Sequence, residues 1–137
     1  MAFVFSQKVL FKHCDPAGIV FYPRYFEMIN DCVEAFFDKR LGVPFETLHK
    51  DGGAPTARIE TRFKAPSRHG DHLEIHLCPT RIGRSSLDLK FLACCDDKTR
   101  FEATSTLVYV GTDLRSTRWP ERLHATLSEM IGTSHEP

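Results

Sequence analysis

His13-Cys14-Asp15-Pro16-Ala17-Gly18-Ile19-Val20-Phe21-Tyr22-Pro23-Arg24-Tyr25-Phe26-Glu27 joins a short apolar stretch to the one long amphipathic helix that the sequence predicts. It sets a single carboxylate at the junction. Asp15 stands just ahead of Pro16, and Gly18 gives the backbone freedom to turn tightly. Pro23 is placed to open the helix, where its missing N–H costs nothing. A carboxylate near a helix N-terminus lies beside free backbone N–H groups and the positive end of the helix dipole. Two readings stand. The junction can bind or polarise an electron-rich oxygen, such as a carbonyl, beside an acid or nucleophile. Alternatively, Asp15 only caps the helix or closes an Asx-turn, as Asp often does before Pro and Gly.

Downstream, Tyr22, Phe26, Ile29, Val33, Phe36 and Phe37 recur at spacings of three and four. The pattern predicts a helix from about Pro23 to Leu41 with one broad apolar stripe, read as core. Arg24, Glu27, Asp31, Glu34 and Asp38 fall largely off that stripe, and Gly42 and Pro44 end the helix. Upstream, residues 4–12 read as a first strand, with Val9 and Phe11 alternating against Lys8 and Lys12.

Beyond a short helical turn and loop over 45–53, the cleanest alternation in the chain sets Ala57, Ile59, Thr61, Phe63 and Ala65 against Arg58, Glu60, Arg62 and Lys64. Pro66 ends that strand. Three more strands follow as a meander, over about 73–82, 86–95 and 101–110, with Gly83 in the first connection and Asp96-Asp97-Lys98-Thr99 turning the second. The last of them is sparsely charged, as a central strand would be. Pro120 opens a terminal helix carrying Leu123, Leu127 and Ile131, and Gly132 is expected to close it. One helix and five antiparallel strands make an α+β domain over 1–137, compatible with a roll.

The 137 residues carry 18 Lys and Arg against 18 Asp and Glu, so bulk charge asks for neither nucleic acid nor an anionic membrane. Any anionic ligand must meet a local cluster. Residues 1–11 read as a strand rather than a signal peptide, and no stretch approaches a membrane span. Cys14, Cys32, Cys78, Cys94 and Cys95 form an odd set without C-x-x-C spacing, read as reduced thiols of a cytoplasmic protein. Cys14 beside Asp15 would need a base to act as a nucleophile. His72 and His76 lie roughly 13 Å apart in a strand at about 3.3 Å per residue. They cannot share one ion within that strand, and no metal is expected at His69, His72 and His76.

Asp15-Pro16-Ala17-Gly18-Ile19-Val20 resembles the Asp-Pro-Ala-Gly-Ile-Val motif of the 4-hydroxybenzoyl-CoA thioesterase-like branch of hotdog-fold acyl-CoA thioesterases. The similarity continues through Tyr22-Pro23-Arg24-Tyr25-Phe26 and, more loosely, through most of the chain. It implies the hotdog fold, a five-stranded antiparallel sheet curled around one long helix, with a short C-terminal helix here. It also implies a homodimer with sheets joined edge to edge and active sites at the interface, often paired into a tetramer.

The same resemblance implies hydrolysis of an acyl-CoA, aromatic acyl groups such as 4-hydroxybenzoyl included. A thioester is already activated, so no cofactor is needed and coenzyme A is part of the substrate. Asp15 can attack the carbonyl or take a proton from water. The oxyanion role falls on the Tyr22 backbone amide. His13, two residues before Asp15, is a candidate to tune it or orient water, against the plainer reading of a loop histidine satisfied by solvent or backbone. Arg81, Arg84, Ser85 and Ser86 around Gly83 are similar to the family's nucleotide-contacting segment and are candidates for the coenzyme A phosphates, as an ordinary hairpin is the plainer alternative. Arg58, Arg62, Lys64 and Arg68 are a second candidate set. By family analogy the acyl pocket draws on Phe21, Tyr22 and Ala54-Pro55-Thr56, the last from a partner subunit.

Two other classes compete with the hydrolase. A hotdog hydratase or dehydratase places a His and an acid differently, and the long helix here has no histidine. A non-catalytic acyl-CoA-binding module would need the pocket and basic loop but not Asp15.

Overall fold

Helix α1 (Pro23–Lys39) carries Pro at its first turn and buries Tyr25, Met28, Ile29, Cys32, Val33, Phe36 and Phe37. This stripe is rotated from the one the spacing predicts. Tyr22 is 57% exposed and Phe26 only half-buried, while Tyr25, Met28 and Cys32 turn inward. The cause lies in what the helix packs on. The computed structural model describes residues 2–134, and in it α1 lies against β1 (Phe3–Lys8) and β4 (His72–Ile82). The flank bearing Tyr22 and Phe26 points toward β3 (Thr56–Phe63), at the far edge of the sheet.

That sheet is antiparallel throughout, with order β1-β4-β5-β6-β3, where β5 is Ser86–Cys95 and β6 is Lys98–Val108. The alternation read from sequence becomes its two faces. Ile75 and Leu77 pair through the register with Ala93 and Phe91, and Leu87, Phe91 and Ala93 with Leu107, Ala103 and Phe101; these side chains, with Leu73 and Leu89 on the same faces, are buried. The α+β arrangement expected from the sequence is therefore present. The most interior strand is β5, and β6 stands one place from the edge. Asp96 and Asp97 make the β5–β6 turn with φ of 52° and 61°, the left-handed pair that matches strand twist in a two-residue hairpin.

Several boundaries differ from the sequence reading, among them α1, which ends at Lys39 rather than Leu41, and β6, which spans Lys98–Val108 rather than 101–110. The first strand stops at Lys8, because Val9 exchanges backbone bonds with the following β3–β4 connection and Leu10 N donates to His13 Nδ1 at 2.8 Å. The chain turns through a 3-10 segment (Phe11–His13), which leaves Phe11 81% exposed. Gly52–Gly53 (β2), after the short helix α2 (Phe45–Leu48), pairs with Val110–Gly111 (β7) as a small second ribbon. Helix α3 (Glu121–Ser134) runs through Gly132 instead of ending there. Leu123, Leu127 and the preceding Trp119 are buried in the same core as α1.

β3 keeps the predicted phase, with Ile59, Thr61 and Phe63 opposite Ser105, Ala103 and Phe101 of β6. No element covers most of it: Ile59 is 39% and Phe63 47% exposed. Its outer backbone edge is unpaired among the described residues, the kind of edge that proteins usually cover or pair.

His13 is 5% exposed, and its Nδ1 is occupied as an acceptor. Burial first, and then the Lys12 charge, hold its pKa below the usual value. The neutral ring is thus the folded form, so its stabilising effect is complete above about pH 6.5 and is lost as pH falls through the depressed folded value. Thermal melts of wild type and His13→Asn from about pH 8 to pH 4.5 should show the wild type losing stability below pH 6.5 and the variant responding less; parallel slopes would assign the dependence to other groups.

Candidate active site

The residues 14–20 form a tight loop closed at its neck by a bridge between Cys14 and Val20, with Phe21 N donating to His13 O at 2.9 Å. Inside it, Asp15 N donates to Ile19 O at 3.0 Å and Gly18 N to Asp15 O at 2.9 Å. Gly18 has φ +81°, a backbone region that side chains disfavour, and this is what lets so few residues reverse direction. Ala17 N donates to Asp15 Oδ1 at 2.9 Å. The Asx-turn of the plainer reading is therefore real, and it occupies one carboxylate oxygen. Asp15 is partly exposed, and no hydrogen bond within the described residues engages Oδ2.

The start of α1 supplies a matching donor. Arg24 N donates to Phe21 O at 2.8 Å and Tyr25 N to Tyr22 O at 3.0 Å, while Pro23 has no N–H. The Tyr22 amide is what remains: among the described residues it has no acceptor within the chain. A carboxylate with one spare oxygen and an unspent helix-terminal N–H thus lie on one continuous segment. Cys14 Sγ is turned to Leu10 O at 3.6 Å, with no base against it, which leaves it inert as a nucleophile. His13 is spent on Leu10 N through Nδ1, the backbone-satisfied state of the plainer alternative.

Around the helix start, Phe21, Tyr22, Tyr25, Phe26 and Phe63 form a ring cluster, with centroids 5.7 Å apart for Tyr25–Phe63 and 5.9 Å for Tyr22–Phe63. Beside it a cavity of about 900 Å³ opens between the flank of α1 and the uncovered face of β3. Phe26, Ile29, Val33, Ile59 and Leu107 give it apolar walls; Asn30, His49, Thr56 and Ser105 add polar groups, and Pro55 lies on its rim. Of these, Asn30 follows Phe26 by four, and Ser105 breaks the apolar alternation of β6, so both had a sequence signal. His49 had none.

The β4–β5 hairpin holds the remaining candidates. Gly83 N donates to Ser86 O at 2.8 Å, and a Cβ at Gly83 would meet Ser86 Oγ at 2.6 Å, so a larger residue there would require the Ser86 side chain to rotate. Trp119 braces it, its amide donating to Arg84 O at 3.0 Å and its ring Nε1 to Ser86 O at 3.2 Å; Tyr109 N donates to Ser85 O at 2.7 Å. Arg81 and Arg84 are exposed and form no ion pair among the described residues. In the second candidate set, Arg58 pairs with Glu60 and Lys64 with Glu102. One chain alone does not unite the predicted site: Asp15 and Tyr22 flank the start of α1, whereas Pro55 and Ser85 both bond to the end of the β6 segment, Val108 N donating to Pro55 O at 3.0 Å and Tyr109 N to Ser85 O at 2.7 Å.

Comparison with known proteins gives the context for this geometry. A family model described as the thioesterase-like superfamily matches residues 9–127. The chain is 29% identical over 83 residues to a 1,4-dihydroxy-2-naphthoyl-CoA hydrolase of Synechococcus elongatus, covering 58% of this chain and 60% of that one. It is 31% identical over 85 residues to a 4-hydroxybenzoyl-CoA thioesterase of Pseudomonas sp., covering 59% and 60%. The chain thus spans about 60% of the length of the curated relatives it matches. A thioesterase-superfamily structure from Jannaschia sp. superposes with a TM-score of 0.86 at 27% identity, covering 95% of this chain and 93% of that one. With a hotdog sheet-and-helix architecture and a family match over most of its length, the chain belongs to the thioesterase-like superfamily.

Proposed function

We propose that the chain is an acyl-CoA thioester hydrolase in which Asp15 is the nucleophile or general base. The observation that carries this reading is the pairing, on one segment, of a carboxylate with a free oxygen and a helix-terminal amide, Tyr22 N–H, with no acceptor of its own. In the nucleophilic route Asp15 attacks the thioester carbon, the oxyanion is held by the Tyr22 amide and the α1 dipole, and collapse expels the coenzyme A thiolate. Water then cleaves the mixed anhydride. In the general-base route Asp15 takes a proton from the water that attacks. Neither route calls for a metal or a cofactor, since coenzyme A arrives as part of the substrate.

An aromatic acyl group is the preferred substrate class. The ring cluster at the start of α1 and the largely apolar cavity beside it support that reading, as do the aromatic acyl-CoA names of the two curated relatives. The exposed Arg81 and Arg84, with Ser85 and Ser86, are assigned to the nucleotide end of coenzyme A, where guanidinium groups suit phosphates. Edge pairing of β3 with β3 of a second copy accounts for the separation of the Asp15 loop from the Pro55 and Thr56 segment within one chain: a partner would bring its Pro55 and Thr56 segment to this chain's Asp15.

The decisive experiment is thiol release from a panel of aromatic and aliphatic acyl-CoAs by wild type and Asp15→Asn. Asp15→Asn should fold normally and lose roughly 10²–10⁴-fold in kcat. Binding of acyl-CoA without turnover by the wild type would replace the hydrolase with a binding module. Sedimentation equilibrium supplies a second test. The wild type should have at least twice the 15.6 kDa chain mass, and Ile59→Arg, which places a charge beside the β3 edge and in the cavity wall, should lower both association and turnover; a fully active monomer would exclude a shared site.

A further inference from the structure

Arg100, near the start of β6, is 8% exposed and grips the connection between β3 and β4. Its Nη1 donates to Asp71 Oδ2 at 2.8 Å, to Pro66 O at 3.1 Å and to Ser67 Oγ at 3.3 Å, and Nη2 donates to Cys95 O at 3.5 Å. Its own carbonyl accepts from Lys64 N at 2.8 Å and Ala65 N at 3.2 Å. Asp71 Oδ2 also accepts from Arg68 N at 2.9 Å. That amide first, and then the guanidinium, hold the Asp71 carboxyl below its usual pKa. Both charges are spent on closing the turn over residues 66–71.

This turn is the surface on which the Asp15 loop rests. Val20 N donates to Ser67 O at 2.9 Å, and Ile19 forms a bridge with Arg68. Ile19 O in turn accepts from Asp15 N. The first turn of α1 reaches the same point, since the Tyr25 hydroxyl is within hydrogen-bonding reach of Ser67. Ser67 is thus the shared contact of the loop, the helix start and the clamp, and it is fully buried.

The Arg100–Asp71 pair is only partly buried, with side chains 10% and 26% exposed, and such a pair seldom adds much net stability to a fold. Among the described residues it leaves Arg100 Nε buried without a partner, so the guanidinium is placed for its Nη contacts rather than for its own saturation. What the pair does secure is position, and a displacement of about 1 Å at a reacting group can cost about 100-fold in rate. We propose that Arg100 is a positioning residue for the Asp15 carboxylate, fixing the 14–20 loop against the start of α1 through the 66–71 turn. The proposal rests on the thioesterase reading of Asp15.

The test is a double-mutant cycle with an amide-exchange readout. Arg100→Lys keeps the charge but loses the fork, and Ser67→Ala removes one hydroxyl; each is made in the wild type and in Asp15→Asn. On the best acyl-CoA of the panel, Arg100→Lys should lower kcat by about 10- to 100-fold with KM held within about twofold. Ser67→Ala should act in the same sense but less. Neither should further slow the residual rate of Asp15→Asn, and exchange at the Val20 amide should quicken in both. Unchanged kcat, equal losses in both backgrounds, or unchanged Val20 exchange would each overturn the proposal. If Arg100→Lys does not fold, Ser67→Ala decides by the same criteria. If the wild type cleaves no thioester, the thioesterase reading fails by itself and the positioning role for catalysis falls with it, while Val20 exchange still shows whether the clamp holds the loop.

Discussion

One helix cannot cover a five-stranded sheet. A helix with its side chains is about 10 Å wide, and five strands spaced by about 4.8 Å span roughly twice that. α1 packs against β1 and β4, and α3 adds cover over β4. The inner faces of β6 and β3 are left to the aromatic side chains at the start of α1 and to an open cavity. The cavity and the exposed Ile59 and Phe63 are consequences of one shortage of apolar cover.

The second constraint is the accounting of backbone hydrogen bonds at the junction before α1. Nearly every donor there has an internal acceptor: Asp15 N, Ala17 N, Gly18 N, Val20 N, Phe21 N, Arg24 N and Tyr25 N are all satisfied. Among the described residues the exceptions are Ile19 N, within the loop, and Tyr22 N, which is left open at the last position before the helix, where Pro23 has no N–H to extend the pattern. A loop so extensively bonded is stiff, and the open Tyr22 donor beside it is directed by its neighbours rather than by itself. Preorganisation of this kind is what electrostatic stabilisation of an oxyanion requires.

The cost of that stiffness is dependence on groups far along the chain. Val20 leans on Ser67, and Ser67 is held by Arg100, whose partner is Asp71. His13, which in sequence stands as a candidate beside Asp15, serves a related structural end by capturing Leu10 N and bending the chain into the loop. The spacing of two between His13 and Asp15 predicts a shared face only in an extended segment. The 3-10 turn ending at His13 removes that premise.

The sequence by itself determined the elements and much of their phase. The alternation of β4 and β5, the helix opened by Pro23, the two-aspartate turn and the glycine of the Asp15 loop are all set by local conformational preference and period, which need no distant partner. Even β3 faces the way its alternation says. The tertiary structure alone decided which of those faces is covered. Tyr22 and Phe26 belong to the apolar stripe by spacing, yet they stay open because the strand they face lies at the sheet edge. It also decided that Arg100, 85 residues from Asp15 in sequence, stands two contacts behind its loop. Strand order and long-range side-chain contacts arise from how the sheet closes on the helix, and no local pattern in the chain encodes them.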